Sequence, residues 1–222
     1  MSGEIVAEEG GTADVRSVAE KRREQIVDAA VRLFAERGYF QTTIEDVANA
    51  VPISKGLVYR YFKDKNDLLY FTLRYVLDKF EFDEIQQVVE KAGPLHALME
   101  VLRLNCGMAR EHTLEVLLAY KSTKDLLPEQ RRNIKVLESK MARFIRQCLE
   151  SCVHRGLMTK INTDIMSYQY IMYGHAWALK NWAFRDRYTP DEYLAEGEMI
   201  LIYPFLTEAG RQEFSKIRAA RS

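Results

Sequence analysis

The chain has 222 residues, 47% of them hydrophobic, which is ample for a packed core and excludes an intrinsically disordered protein. Its 32 Lys and Arg balance 32 Asp and Glu, so the chain as a whole is not a polybasic nucleic-acid binder. No apolar run is long enough to span a bilayer, the acidic start MSGEIVAEEGGTADV lacks a signal-peptide pattern, and three cysteines without ligand spacing imply a reducing cytoplasm rather than a disulfide framework.

Residues 1–17 read as a polar, disordered tail. Arg16, Lys21, Arg22 and Arg23 then lead into a helix over 18–37, with Ile26, Ala29, Ala30, Leu33 and Phe34 as its apolar stripe and Gly38 placed to end it. That basic start either tracks a phosphate backbone or is a solvated helix end. Residues 16–65 carry ten Lys and Arg against seven Asp and Glu, a modest footprint for phosphate. Thr43 caps the next helix, with Asp46 three residues on as an acidic capping box, and Ile44, Val47 and Ala48 share one face. Val51-Pro52-Ile53 breaks it, because proline lacks an amide donor and biases the residue before it away from helix. Ser54 caps another helix whose apolar contacts are Leu57, Val58 and Phe62, and Asp64 starts a third, again with an acid, Asp67, three residues on. Helix, short turn, helix is the geometry that lays a second helix into the major groove of DNA.

From Asp64 the helical pattern continues through Leu73, Val76 and Leu77 towards Lys91, with a kink expected near Phe82-Asp83 and a stop at Gly93-Pro94. Helices follow over 95–110, 113–123 and 128–155; the last ends at Gly156, with Leu157 placed for a Schellman contact. The next, over 164–184, is apolar on more than one face, which implies burial on both sides, one against the chain's own core and one against a partner. Gly174 there permits close helix approach. Thr189-Pro190-Asp191-Glu192 combines a cap, proline at the first helical position and a capping-box Glu, and Pro204 ends the helix that follows. Residues 211–222 read as a loose basic tail. Alternating Val/Ile runs are absent, so the fold expected is all-α.

The stretch LFAERGYFQTTIEDVANAVPISKGLVYRYFKDKNDLL resembles the N-terminal DNA-binding domain of the TetR-type repressors, the tetracycline-repressor family. The resemblance rests on Leu33-Phe34, Glu36-Arg37-Gly38, Thr42-Thr43, Val47-Ala48, Ser54-Lys55-Gly56, Tyr59, Tyr61-Phe62, Lys65 and Leu68-Leu69, in order and at the family's spacing, and covers residues 20–70. Pro52 departs from it, standing where the family has glycine; a glycine takes positive φ and proline is expected not to. Carried over by motif position, Thr43 and Ser54 bond phosphate, Tyr59 gives its hydroxyl to phosphate, and Lys65 clamps the DNA backbone from the following helix. Lys55, Gly56, Arg60 and Tyr61 lie where base edges are reachable. The guanidinium fork of Arg60 matches guanine O6 and N7. Tyr61 reads equally as a packed aromatic, and Lys63 as a phosphate contact or a solvated lysine.

The division expected is a tail over 1–17, a helix-turn-helix domain of three helices over 18–70, a larger helical domain over 71–210 for effector binding and dimerisation, and the tail over 211–222. The resemblance implies a one-component, cytoplasmic transcriptional regulator rather than an enzyme: a repressor that binds an inverted-repeat operator as a homodimer, through the helices over 164–184 and 190–207, and is released by a small effector. Leu102, Cys106, Leu118, Met141, Phe144, Tyr173, His175 and Trp177 are the pocket candidates; their apolar and aromatic character points to a hydrophobic effector, and core filling is the alternative for each. Cys148 and Cys152 share a helix face, without a basic neighbour that would activate a thiol. Neither a cofactor motif nor metal-ligand spacing stands out. A constitutive or architectural DNA-binding protein with a packed, ligandless core is the other reading, and an all-α enzyme retaining the domain as a relic is a third.

Overall fold

A computed structural model describes residues 11–78 and 90–221, and there the chain is helical throughout, apart from one isolated antiparallel bridge between Met158 and Leu206. We number the described helices α1 (Gly11–Arg37), α2 (Ile44–Ala50), α3 (Lys55–Tyr61), α4 (Lys65–Asp78), α5 (Pro94–Glu111), α6 (Thr113–Ser122), α7 (Pro128–His154), α8 (Thr163–Leu179), α9 (Asn181–Phe184), α10 (Pro190–Leu201) and α11 (Glu208–Arg221). The chain divides into two compact units, Met1–Thr72 and Leu73–Ser222, and the division falls within α4. The expected continuation of α4 towards Lys91, with a kink near Phe82-Asp83, lies outside the described residues.

Helix ends follow local chemistry. Gly38 takes φ +93 after α1, and its amide closes onto the Phe34 carbonyl at 3.1 Å. Gly156 (φ +70) ends α7 in a full Schellman motif: Leu157 N donates to the Cys152 carbonyl at 2.9 Å and Gly156 N to the Val153 carbonyl at 3.0 Å. Thr189 and Glu192 form the capping box of α10 around Pro190.

Three expectations change. Helix α1 begins at Gly11, ahead of residue 18, because TADVRS contains no residue that stops a helix. Helix α8 ends at Leu179 instead of running to 184: Lys180 leaves helical geometry at φ −126, ψ 30, and Phe184 is then within reach of the Trp177 and Tyr193 rings, at centroid distances of 6.3 and 5.2 Å. The tail over 211–222 is the helix α11. Phe214 is buried, Gly210 lies so close to Leu157 that a Cβ would meet its carbonyl oxygen at 2.0 Å, and Arg221 pairs with the buried Glu198 at 2.8 Å. A basic, polar-looking segment becomes ordered because its cations compensate a carboxylate in the interior.

The core of the second unit gathers Leu95, Leu98, Met99 and Leu102 of α5 with Ile145, Leu149 and Cys152 of α7 and Tyr170 of α8. Helices α5 and α8 approach closely at Gly174, where a Cβ would lie 2.2 Å from Asn105 Nδ2. Asn105 is 5% exposed and its amide donates to the carbonyls of Tyr170 at 2.9 Å and Ile171 at 3.3 Å. Helices α8 and α10 are joined by a reciprocal pair: Tyr173 Oη donates to the Tyr193 carbonyl at 2.7 Å, Tyr193 Oη to the Tyr173 carbonyl at 2.8 Å, and the rings stack at 4.6 Å. Gly174→Ala is expected to lower stability by about 1–3 kcal/mol, as overpacking of a filled site does; chemical denaturation of the purified protein measures it, and an unchanged midpoint would mean that Asn105 moves aside freely.

Candidate functional site

In the first unit the three short helices are set by side-chain caps. Thr43 Oγ1 accepts from Asp46 N at 3.1 Å, and the Asp46 carboxylate accepts from Thr43 N at 2.8 Å and from its hydroxyl at 2.6 Å. These bonds hold the Asp46 carboxyl below its usual range. The Thr43 hydroxyl is thus engaged within the chain. Ser54 Oγ accepts from Leu57 N at 3.2 Å, which leaves its proton for an outside acceptor. Asp64 Oδ1 accepts from Asp67 N at 2.8 Å and starts α4.

Helix α3 is pinned by Val58, fully buried, and its C-cap Phe62, 1% exposed, while Leu57 is half-buried. Lys55, Gly56, Tyr59 and Arg60 are exposed, and Tyr61 is half-buried. A Cβ on Gly56 would meet only Ser54 Oγ, at 4.0 Å, so the fold itself does not require glycine there. Lys55 pairs loosely with Glu45 at 3.6 Å. Lys63 is exposed; only its backbone amide is engaged, with Asp67 at 2.9 Å.

Two residues show features that the sequence did not signal. Lys65 turns into its own unit: Nζ donates to the carbonyls of Tyr39 and Thr42 at 3.0 Å each, lies 3.4 Å from that of Phe40, and sits 4.5 Å from the centre of the Tyr39 ring. These contacts tie the ammonium to the α1–α2 loop. Pro52, expected to avoid positive φ, takes φ +25. It occupies the place after α2 that closes the helix: Ile53 N donates to the Ala48 carbonyl at 3.0 Å, and the companion Schellman bond is missing because proline has no amide proton.

The second unit holds a cavity of about 430 Å³, within the range of small-molecule sites. Leu73 and Leu77 of α4, Val116 and Tyr120 of α6, Ile134, Glu138 and Met141 of α7, and Tyr168, Met172 and His175 of α8 are among its walls. Of the eight residues proposed from sequence, Met141 and His175 line it. The others lie elsewhere. Leu102 and Leu118 are fully buried; Cys106, Phe144 and Tyr173 pack against the main core, and Trp177 stacks with Phe184. The reason is rotational. On α8, residues 168, 171, 172 and 175 share one helical face and 170, 173, 174 and 177 the other, and both faces are apolar. Tyr120 had no signal in the sequence, because α6 shows no single apolar stripe. Its hydroxyl reaches His175 Nδ1 at 3.0 Å and Met172 Sδ at 3.2 Å. Burial holds His175 below the usual histidine range. Cys148 and Cys152 are buried, with thiols pushed up to about 12, which makes them poor thiolates.

Residues 26–70 match the profile of the tetR family of bacterial regulatory proteins. Over 200 residues the chain is 38% identical to the HTH-type transcriptional regulator HbdR of Aromatoleum sp. strain CIB, covering 90% of this chain and 87% of that one. The chain belongs to the tetR family. It is a DNA-binding transcriptional regulator, not an enzyme. The chain is also 36% identical, over 90 residues, to the transcriptional repressor KstR2 of Rhodococcus jostii, covering 40% of this chain and 44% of that protein. Among solved structures, AibR in complex with isovaleryl coenzyme A and operator DNA shares the fold of this regulator, with TM-score 0.70 at 22% identity over 81% of this chain and 98% of AibR.

Lys65→Met is expected to destabilise the regulator by about 1–3 kcal/mol, since it strips donors from partly buried carbonyls; thermal denaturation measures it, and full stability with lost DNA affinity would instead restore the phosphate-clamp role. Pro52→Gly should raise stability by about 1–2 kcal/mol, left-handed strain outweighing the extra freedom glycine gives the unfolded chain. A fall in its melting temperature would show that proline is unstrained there.

Proposed function

We propose that this tetR-family protein is a cytoplasmic repressor that binds an inverted-repeat operator as a homodimer and is released when a small, mostly apolar effector enters the cavity of its second unit. The observation that carries the effector half is the path of α4. Its first turn holds Lys65, which ties to the α1–α2 loop of the head, and its later residues Leu73 and Leu77 are cavity walls. A ligand that displaces those leucines acts on the helix that anchors the head. To work as a switch it must bind the released state more tightly, by a coupling of about 1–3 kcal/mol.

For the DNA half, the exposed face of α3 supports the assignment of contacts. Lys55, Gly56, Arg60 and Tyr61 are the candidates for base edges; Ser54, Tyr59 and Lys63 are candidates for phosphate. Thr43 is a weaker phosphate candidate, because its hydroxyl proton is directed at Asp46. For the dimer, the region over 164–207 is the proposed interface, where Ile165, Trp182 and Ile200 stand exposed. The operator in the AibR complex and the repressor name of KstR2 support the same reading. The cavity disfavours the alternative of a ligandless core.

Purified protein titrated against inverted-repeat and scrambled duplexes across a salt series, with its size in solution measured alongside, tests this reading. A dimer that prefers one inverted repeat and shows a steep salt slope is expected; a monomer without duplex affinity would overturn it. Arg60→Ala should lose about 1–3 kcal/mol of discrimination at one base pair. Equal losses on operator and random duplex would remove Arg60 from base reading.

A further inference from the structure

The cavity walls are unequal in charge. Two of its residues are carboxylates, Glu115 and Glu138, and no lysine or arginine is among the described lining. Glu115 is matched already: His112 Nδ1 lies 3.2 Å from its Oε1, and both side chains are largely withdrawn from solvent. Glu138 is different. It reaches the cavity from α7 beside Tyr120, and neither a hydrogen bond nor an ion pair within the described residues ends on its carboxylate. Tyr120 is not its partner: the hydroxyl lies against His175 Nδ1 and Met172 Sδ, and no hydrogen bond among the described residues joins it to Glu138. Around this acceptor the wall is apolar: Leu73, Val116, Ile134, Met141, Ile171 and Met172.

We propose that the effector carries a hydrogen-bond donor, a hydroxyl or an ammonium, on an apolar body, that the donor seats on Glu138, and that a free carboxylate is rejected. This rests on reading the cavity as the effector site. The physical reason is complementarity. An acceptor-only group in a mostly apolar wall is offset when the ligand brings a donor, and a cationic donor forms the stronger bond. An anionic head would instead face two carboxylates with no lysine or arginine among the described lining, a repulsive contact that excludes wrong ligands. Although Glu138 stays exposed as a residue, partial desolvation of its carboxyl raises it above its usual range, against the opposing pull of Lys135 on the same helix. Burial also disfavours the charged form of His175, so the Tyr120–His175 pair adds little attraction for an anion.

The experiment uses the full chain and probes that share one body and differ in the head: phenethylamine, phenethyl alcohol, phenylacetate and ethylbenzene. Affinity is read by calorimetry at neutral pH, on the natural protein and on Glu138→Gln. The exposed position of Glu138 and the equal size of glutamine keep the fold, which circular dichroism checks. The expected result is that the amine, the alcohol or both bind at least about tenfold more tightly than phenylacetate, and that Glu138→Gln closes that gap. A lead for the amine identifies a cationic donor; a lead for the alcohol identifies a neutral one. Phenylacetate binding as well as either, with Glu138→Gln without effect, overturns the donor inference and leaves the effector site standing. Failure of every probe to bind, ethylbenzene included, overturns both.

Discussion

Asn105 meets α8 where Gly174 has no side chain, and the arrangement of the larger unit depends on that contact. The amide of Asn105 donates to two carbonyls of α8, at Tyr170 and Ile171, and a Cβ at residue 174 would occupy the space it needs. A helix that is apolar on two faces has no strong preference for which one to bury. The asparagine removes that ambiguity, because it specifies both the distance and the rotation of α8. Tyr170 and Trp177 then fall on the buried side, and Tyr168, Met172 and His175 line the cavity. Packing and function share one contact: Asn105 closes the core and is itself part of the cavity wall.

The head is organised differently. Its helices α2 and α3 are seven residues long, too short to hold themselves by backbone bonds alone, so caps and buried apolar anchors define them. Thr43 with Asp46, Ser54 with Leu57 and Asp64 with Asp67 each supply a bond that the helix start lacks. Lys65 joins the start of α4 to the carbonyls of the α1–α2 loop, which otherwise have no regular secondary structure to satisfy them. What remains outward on α3 is a small polar and aromatic surface with few internal bonds, as a surface that must exchange water for DNA requires.

Helix α4 links the two halves through the covalent chain. One turn carries the staple of the head, and two to three turns later its leucines line the cavity of the second unit. The sequence match to KstR2 spans 40% of the chain, and that to HbdR spans 90% of it.

The sequence by itself determined the helix-turn-helix head, the positions of most helix ends and the family. Those features are local: a cap, a glycine after the last turn or a proline at the first position acts on its own few residues, and so is written in a short stretch of chain. Thr43, Ser54, Gly156 and Thr189 all act as their neighbours predict. Tertiary structure alone decided the rest. Lys65 reads as a surface cation until carbonyls more than twenty residues away claim it. Residues 211–222 read as a loose tail until the buried Glu198 supplies their counter-charge. The cavity required knowing how α8 is rotated, and two equally apolar faces hold no trace of that choice; a single asparagine on another helix makes it.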